Sequence, residues 1–474
     1  MTKTLLVGPF NRVEGDLEIR LDVSEGRVAA AYANSPLFRG FERMMVGKAP
    51  VDALTITPRI CGICSISQSA AAALALSDMA GGGMAPEGLR VASLLHAVEN
   101  IADHVTHFYL FFMPDFARVG YAGQPWHGRA VQRFLAGSGS GARAAVAARA
   151  ELFHIVGMLG GKWPHTLAIQ PGGVTRAPSL RDKVRIGASL KAFRRFLETE
   201  VFGAPVEAFA GLSSVTDLER WDTGDAGFFL QVAAGLDLAA LGKGPGRYMS
   251  FGAYPEPEGR VFASGLWSDG AVAPVEMGSI VEDLSHAWML GEAAHPAQGD
   301  TRPDAEMRES AYSWCKAPRL AGETVEVGAL ARQVVDGHPL ALALAGEGGV
   351  RARVAGRLLE IARTQIALER MLAAIKPEAA FMAEVTLRDG EGVGLVEAAR
   401  GSLGHWLTVE RGKIARYQII APTTWNFSPR DAGGVAGPVE AALVGCPVGE
   451  GEDTPLSVQH VVRSFDPCMV CTVH

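Results

Sequence analysis

The sequence lacks several features that would assign it to a particular class of protein. It does not open with a basic segment followed by an apolar run, so we expect no signal peptide. No uninterrupted apolar stretch reaches about 18 residues, so we expect no membrane-spanning helix. Six cysteines among 474 residues are too few for a disulfide scaffold, and the net charge of −7 predicts no nucleic-acid surface. The cytoplasm is therefore the expected compartment.

What remains is an ordinary globular composition, with 48% apolar and 20% charged residues. Apolar residues recur at helical spacing between Leu94 and Phe108, whereas they alternate with polar residues between Leu17 and Val23. We predict a mainly α fold with small β elements (α+β), in one domain spanning residues 1–474. Its predicted parts are a β-rich edge at 1–35, a helical body at 58–210 and 330–376, β and loop elements at 242–275 and 404–431, and a buried tail at 460–474.

Four of the six cysteines form two pairs, Cys61-Gly-Ile-Cys64 and Cys468-Met-Val-Cys471. Two thiols at this spacing can bind one metal ion. The pairs lie about 400 residues apart, and the second pair belongs to the last nine residues, a position where most chains fray. We therefore predict that four thiolates meet at one buried metal centre and that the tail is held inside the protein.

The spacing alone does not identify the metal. A structural zinc site is the simplest interpretation of two such pairs. Zinc sites usually hold a short segment together, however, and zinc gives no reason for Asp466 or His474 beside the ligands. An iron–sulfur cluster also uses four thiolates. Soft thiolates bind zinc, copper(I), nickel or iron, so softness does not choose among these metals.

The first cysteine pair immediately precedes an alanine-rich segment, Gln68 to Met79, that is predicted to be a helix. Thiols at the N-terminus of a helix experience the positive end of its dipole, which lowers their pKa and favours the thiolate. We therefore expect both thiols of this pair to be good metal ligands.

Other polar residues have ordinary explanations when they are taken alone. Glu14 is more typical of a surface carboxylate than of a proton carrier. Asp103 and His107 lie four residues apart on a predicted helix, a spacing typical of a structural ion pair. Cys315 and Cys446 have no Cys-x-x-Cys partner and are interpreted as ordinary buried thiols.

In combination, the motifs of this sequence resemble those of nickel–iron hydrogenase large subunits along almost the whole chain. The resemblance implies a helical bundle with peripheral antiparallel hairpins that splits hydrogen heterolytically. The motifs that carry it are Arg12-Val-Glu14-Gly15, Arg39-Gly-Phe-Glu42, Arg59-Ile-Cys-Gly-Ile-Cys64, Asp103-His104, Pro171-Gly172-Gly173, Lys316-Ala-Pro318, Arg400-Gly-Ser-Leu-Gly-His405-Trp406, Pro422-Thr-Thr-Trp425-Asn426 and Asp466-Pro-Cys-Met-Val-Cys-Thr-Val-His474.

The resemblance implies a nickel–iron centre whose iron carries carbon monoxide and cyanide. Cys61 and Cys468 would bind nickel terminally. Cys64 and Cys471 would bridge nickel to iron. All four cysteines of the two pairs are thus implied as metal ligands.

The resemblance also implies a second ion, magnesium or iron, that ties down the tail. Glu42, the carbonyl of Ile419 and His474 would hold it. Glu14 would pass protons to and from Cys468.

A charged canopy over the open nickel–iron position is implied as well. Arg400, Asp103 and Asp466 would form it, with Arg400 and Thr423 near the cyanides. Splitting hydrogen heterolytically needs a Lewis-acidic metal and a nearby base. A terminal thiolate ranks first as that base, because arginine normally stays protonated. Glu14, buried near thiolates, should have a raised pKa and can relay protons.

Electrons must also leave the metal centre. Only Cys315 and Cys446 remain uncommitted, too few for a cluster that needs four ligands. An iron–sulfur small subunit is therefore implied, in a heterodimer or a dimer of heterodimers.

Three departures from the commoner pattern resemble the regulatory, hydrogen-sensing branch of the family. Gln68 stands where energy-converting members usually have histidine. Ile63 and Phe111 stand where smaller residues are usual, so they would narrow the gas path and favour hydrogen over oxygen. Nothing follows His474, and the sensors are made without a C-terminal extension.

These departures favour a slow, oxygen-tolerant hydrogen sensor upstream of a histidine kinase. The alternative is an energy-converting uptake hydrogenase that feeds electrons to a quinone or another carrier. A structural zinc protein without redox chemistry is the third interpretation, and it ranks last.

Overall fold

Helices form most of the regular structure in residues 3–473, the part of the chain that the computed structural model describes. About 43% of the residues are helical and 19% are in strands, which confirms the predicted mainly α fold with small β elements. The helices are α1 (Phe41–Met45), α2 (Ala53–Ile56), α3 (Ser65–Met79), α4 (Pro86–Thr106), α5 (His127–Phe134), α6 (Ser140–Gly160), α7 (Leu180–Phe196), α8 (Val206–Ala210), α9 (Val215–Glu219), α10 (Gly224–Gly235), α11 (Ala329–Val335), α12 (Pro339–Ala345), α13 (Val350–Ala374), α14 (Pro422–Asn426), α15 (Pro438–Leu443) and α16 (Leu456–Ser464).

The strands pair into small antiparallel sheets. The two longest sheets are β1-β2-β3 near the N-terminus and β13-β14-β15 near the C-terminus. The strands are β1 (Lys3–Val7), β2 (Glu18–Ser24), β3 (Arg27–Asn34), β4 (Ile169–Gln170), β5 (Gly173–Val174), β6 (Tyr248–Ser250), β7 (Ala253–Glu256), β8 (Gly259–Phe262), β9 (Gly265–Ser268), β10 (Ala271–Ala273), β11 (Ile280–Asp283), β12 (Ala317–Leu320), β13 (Gly390–Ala398), β14 (Gly401–Glu410) and β15 (Lys413–Ile420).

The long helices α3, α4 and α13 lie at the centre and are buried on nearly every face. Helix α4 packs against α6 and α13, and α3 packs against β13. The approach of β13 to α3 requires glycine, because a Cβ on Gly394 would lie 1.9 Å from the carbonyl oxygen of Ala71. Among the described helices, none combines the length and the apolar character that a bilayer span requires.

Helix α4 does not end at its last α-helical residue. A π-turn over His107–Phe112 and a 3-10 turn over Met113–Ala117 continue it. π-turns are rare and frequently occur at functional sites. This one carries His107 and Phe111 past the C-terminal end of the helix, toward the segment that precedes the tail.

Candidate metal centre

The two Cys-x-x-Cys pairs meet in one buried cluster. The Sγ atoms of Cys61, Cys64, Cys468 and Cys471, hereafter the sulfur cage, all lie within 4.8 Å of one another. Sγ of Cys61 lies 3.4 Å from Sγ of Cys468, and Sγ of Cys64 lies 3.0 Å from Sγ of Cys471. Disulfide bonds are about 2.05 Å long, so these are free thiols.

The donor set and the dimensions of the cage suit a metal centre. Metal–sulfur bonds of about 2.3 Å in a tetrahedron place sulfur atoms about 3.8 Å apart, near the separations in the cage. All four sulfur atoms belong to buried residues. The predicted convergence of the two ends of the chain on one pocket is present in the fold.

The first pair is positioned by the start of α3. Cys64 is the residue immediately before that helix and occupies its N-cap position, but its side chain makes no cap hydrogen bond. Cys61 precedes it in the loop that follows a short 3-10 turn, Thr57–Arg59. Helix α3 begins at Ser65, three residues earlier than the alanine-rich pattern predicts.

The second pair encloses a 3-10 turn, Met469–Cys471, with Cys468 at the N-cap of the turn, and distant segments hold it in place. The amide of Met469 donates to the carbonyl of Glu14 at 2.7 Å, and the amide of Cys468 donates to Oγ1 of Thr423 at 3.0 Å. Gly15 allows this approach, because a Cβ there would lie 2.9 Å from Cγ1 of Val470. The predicted tail is thus enclosed, although His474 itself lies outside the described residues.

The four thiols do not ionise alike. Hydrogen bonds with neighbouring thiols, first that of Cys468, lower the pKa of Cys61 well below its ordinary value. Hydrogen bonds with the same group raise the pKa of Cys64 well above it, and burial raises the pKa of Cys468 and Cys471. The pKa of Cys61 is thus lowered by hydrogen bonds and not by the dipole of α3, and the pKa of Cys64 moves opposite to the expected direction.

The three residues predicted as a canopy are in contact and buried. Nη1 of Arg400 donates to Oδ2 of Asp103 at 2.6 Å, and Nη2 donates to Oδ1 of Asp466 at 3.1 Å. A second guanidinium lies behind them, with Nη2 of Arg357 3.7 Å from Oδ2 of Asp466. Arg357 also donates from Nε to Nδ1 of His104 at 3.3 Å, which links the canopy to the interior of the helical body.

The charges of the canopy stabilise one another. Burial alone would lower the pKa of Arg400, but the carboxylates of Asp103 and Asp466 outweigh it and raise that pKa. Burial raises the pKa of Asp103 to about 7 despite Arg400. Burial also opposes ionisation of Asp466, but Arg400, His107 and Arg357 together outweigh burial and lower the pKa. Arg400 consequently remains a cation beside the sulfur cage.

Glu14 lies at the edge of the cage and is half-buried. Burial, and next the charge of Cys61, raise its pKa, as predicted for a proton carrier. Its loop is fastened by Arg12, whose guanidinium pairs with Asp115, and by Arg463, whose Nη2 donates to the carbonyl of Asn11 at 2.9 Å.

Glu42 and Ile419, two of the three residues predicted to hold a tail ion, lie together, and the third, His474, is outside the described residues. Oε1 of the buried Glu42 accepts from the amide of Ile419 at 2.7 Å, and Thr301 donates to its other oxygen. Nζ of Lys316 lies 3.8 Å from Glu42 and 2.8 Å from Oε2 of Glu282. Burial raises the pKa of Glu42 to about 7. Ile419 therefore reaches this cluster, with its amide as the group in contact.

Comparison with known proteins shows which family this chain belongs to. The sequence profile described as nickel-dependent hydrogenase matches residues 39–126 and 144–474. The chain belongs to this hydrogenase family.

Individual hydrogenases match the chain from end to end. It is 29% identical to the periplasmic [NiFeSe] hydrogenase large subunit of Desulfomicrobium baculatum, over 99% of this chain and 94% of that protein. It is 26% identical to the quinone-reactive Ni/Fe-hydrogenase large chain of Wolinella succinogenes, over 100% and 96%. A solved [NiFeSe]-hydrogenase structure from Dm. baculatum superposes with a TM-score of 0.85 at 27% identity, over 100% of both chains. The resemblance to nickel hydrogenase large subunits is confirmed.

The two residues predicted to narrow a gas path in this hydrogenase are both half-buried. Ile63 lies between the first two cage cysteines and packs against the hydrophobic core. Phe111 lies on the π-turn that follows α4, and its carbonyl accepts from Nη1 of Arg12 at 3.3 Å. Gln68 lies on α3, where its Oε1 bonds Nε2 of His405 at 2.8 Å.

Sequence reasoning assigned no role to several buried polar residues of this hydrogenase. Glu282 lies on β11 and Lys316 immediately precedes β12, and both lie beside Glu42, although the sequence offered Lys316 as part of a motif. Arg357 and Glu99 lie inside helices that the pattern marks only as buried. No spacing signal could have found them, because their partners are distant in the sequence.

Proposed function

We propose that this hydrogenase holds a nickel–iron centre in its sulfur cage and splits dihydrogen there. The observation that carries the proposal is the cage, four buried sulfur atoms within 4.8 Å contributed by both ends of the chain. In the proposed arrangement Cys61, Cys468, Cys64 and Cys471 would hold the nickel and the iron between them. The canopy and Thr423 would line the pocket beside the two metals.

When bound, the metal centre supplies a Lewis acid that polarises dihydrogen, so that a nearby base can take the proton. We assign that base to Cys468. Glu14 is adjacent, because its backbone pairs with that of Cys468. The raised pKa of its carboxyl favours holding the proton that the thiolate releases.

Arg400 acts in this proposal as a fixed cation and not as a base. The carboxylates of Asp103 and Asp466 raise its pKa against the effect of burial. A buried, preorganised cation stabilises negative charge more strongly than one in water. The two carboxylates keep the guanidinium in place over the cage.

We also propose a hard cation, magnesium or iron(II), between Glu42, the carbonyl of Ile419 and His474. Buried carboxylate and carbonyl oxygens are the ligands that magnesium prefers. The raised pKa of Glu42 is consistent with a carboxylate that ionises when a cation is present.

A small subunit with iron–sulfur clusters is the proposed electron partner. The relatives are named as large subunits or large chains, and only Cys315 and Cys446 lie outside the cage. A heterodimer, alone or paired with a second one, is the assembly we propose, with residues 1–474 as one domain of it.

We propose two alternative physiological roles for this hydrogenase. The sensor role, with a histidine kinase downstream, is supported by Gln68, Ile63 and Phe111 only. An uptake role is favoured by the quinone-reactive relative. We propose the cytoplasm as the compartment because two Cys-x-x-Cys pairs favour metal binding in a reducing environment, although one relative is named as periplasmic. Cell fractionation and capture of a kinase with the purified complex separate these alternatives.

The gas-path proposal has its own test. Replacing Ile63 by Val and Phe111 by Leu removes side-chain volume at both positions. The double variant should lose hydrogen oxidation under oxygen faster than the parent, with unchanged activity under anaerobic conditions. Unchanged oxygen tolerance would contradict the proposal.

Metal analysis of the purified complex tests the central proposal. Nickel should be present at one atom per large subunit, and infrared bands from iron-bound carbon monoxide and cyanide should show the iron beside it. Zinc alone in the cage would refute the proposal. The C446S variant, which removes a buried thiol outside the cage, should retain both metals.

A further inference from the structure

A carboxylate from α4 reaches the first turn of α3, directly after the cage residue Cys64. Oε1 of Glu99 accepts from the backbone amide of Ile66 at 2.9 Å. Oε2 accepts from the amide of Ser67 at 2.9 Å and from that of Ile66 at 3.1 Å. Both amides belong to the helix terminus whose N–H groups have no partner within the helix.

Side-chain donors complete the shell around the same carboxylate. Nε1 of Trp163 donates to Oε1 at 3.0 Å, and Oγ of Ser67 donates to Oε2 at 3.1 Å. Oγ of Ser65 lies 3.4 Å from Oε1. Glu99 is 1% exposed, and it forms no salt bridge within residues 3–473. Burying a carboxylate is costly unless hydrogen bonds replace its water, and here neutral donors fill that role.

The need for this arrangement follows from the position of Cys64. A helix usually satisfies its first amides with the side chain of its N-cap residue. Cys64 occupies the N-cap, but its sulfur lies in the cage, 3.0 Å from Sγ of Cys471. Glu99 takes over the capping function from a neighbouring helix. Burial raises the pKa of Glu99 to about 7, and its ionised form also interacts favourably with the dipole of α3.

We propose that Glu99 is a positioning residue that fixes Cys64 in the sulfur cage. The proposal rests on the metal-binding role of Cys64 set out above. Asp103 lies four residues later on α4 and on the same face of the helix. One rigid helix therefore positions both a cage sulfur, through Glu99, and the canopy, through Asp103.

The substitution Glu99→Gln tests the proposal with little change of shape. A carboxamide presents one acceptor and one donor, so its NH₂ group must face the indole N–H of Trp163 or the backbone N–H groups. A buried donor left without an acceptor favours local opening of the structure, and the equilibrium constant for that opening should rise about tenfold or more. In the E99Q/W163F double variant one opposing donor is absent, so part of the loss should be recovered.

Two readouts are measured on the complex purified with its metals. Hydrogen exchange at the amides of Ile66 and Ser67 should be about tenfold faster in E99Q than in the parent. The rate of nickel release to a chelator should rise by a similar factor, and the infrared bands should shift. Both effects should be smaller in E99Q/W163F.

The matched control is Glu87→Gln, a second buried carboxylate on α4, which bonds Arg90 and the amide of Lys376. E87Q should leave exchange at residues 66 and 67 and nickel release unchanged. Parental exchange and nickel retention in E99Q would overturn the proposal, as would equal effects of E87Q. Should E99Q not fold, Ser67→Ala removes a single donor and is read in the same way. Absence of nickel from the parent would instead refute the proposed function.

Discussion

The two cysteine pairs have the same spacing and meet in one cage, yet they are built differently. The first pair leads into α3, a helix of 15 residues. The second is built around a 3-10 turn of three residues, Met469–Cys471, which Cys468 immediately precedes. Short 3-10 segments have poorer hydrogen-bond geometry than α-helices and rarely persist alone. Equal spacing in the sequence therefore does not imply equal local stability.

The bonds that hold each pair show the same difference. The amides after Cys64 are satisfied within or next to α3, with Glu99 as the external partner. The tail is held by Glu14 and Thr423, residues tens to hundreds of positions away. Both halves of the cage thus depend on tertiary contacts, but the partners of the second half lie much farther along the chain in the case of Glu14, and only the first half is continuous with a long helix.

The largest expected effect comes from breaking the cage itself. Replacing Cys468 by Ser removes a ligand, and hydrogen oxidation should fall to below about one-thousandth of the parental rate. Nickel should be lost with it. The C446S control, buried outside the cage, should keep at least half of the activity. A C468S protein with parental nickel content would contradict the proposed ligand set.

The canopy also joins the two parts of the chain that carry the cysteine pairs. Asp103 lies on α4, which packs next to the first pair, and Asp466 lies in the tail with the second pair. Asp466 faces two guanidiniums, Arg400 at 3.1 Å and Arg357 at 3.7 Å, whereas Asp103 pairs with Arg400. Replacing Asp466 by Asn should therefore reduce kcat by about a hundredfold, and D103N by about tenfold. Steady-state kinetics at saturating hydrogen measure the difference, and an equal loss in both variants would contradict this explanation.

A smaller effect is expected from one bond that holds the tail. Thr423→Val removes the acceptor for the amide of Cys468, leaving a buried donor unsatisfied at a cost of about 1–2 kcal/mol. The nickel-loaded complex should therefore unfold at a lower temperature in calorimetry. Thr364→Val is the control, since Oγ1 of Thr364 is buried with no hydrogen-bond partner in the described chain. That change should be neutral or stabilising.

The smallest expected effect is a pH dependence common to both halves. Burial lowers the pKa of both His96 and His107 to about 3. His96 bonds Ser67 on α3, next to the first cysteine pair, and His107 bonds the carbonyl of Arg463, which precedes the tail. The unfolded chain binds these protons near pH 6.5, so each histidine reduces stability as the pH falls from 6.5 toward 3.

Comparison with variants isolates this contribution. Relative to the parent, H96Q and H107Q should each gain about 1 kcal/mol of stability per pH unit below 6.5. Unfolding temperatures at pH 7 and 5.5 measure the gain. The exposed His154 on α6 provides the control, and an equal gain in H154Q would exclude burial as the cause.

Long helices were largely predictable, but their ends and breaks were not. The first part of the predicted helical body at 330–376 is not one continuous helix, because the chain forms α11 and α12, separated by residues 336–338. Gly337 adopts a φ of +75°, which glycine tolerates, and Pro339 begins α12. Both residues were visible signals for a break that periodicity alone concealed.

The residues of the candidate site also fall into a predicted group and a group that was not predicted. The spacing of the cysteines predicted the cage, and family resemblance predicted the canopy, Glu14 and the cluster at Glu42. Neither route indicated Glu99, Arg357 or Glu282. Their roles arise from contacts between segments far apart in the chain, and a buried carboxylate in a helical pattern looks like any other position of that helix.

The amino-acid sequence by itself determined which atoms can bind metal, and it determined the helical body through the periodicity of its apolar residues. Only the tertiary structure decided which residues hold the sulfur atoms in place and in which direction the pKa of each thiol is shifted. Hydrogen bonds and desolvation act over a few ångströms, and the order of residues along the chain does not specify those separations.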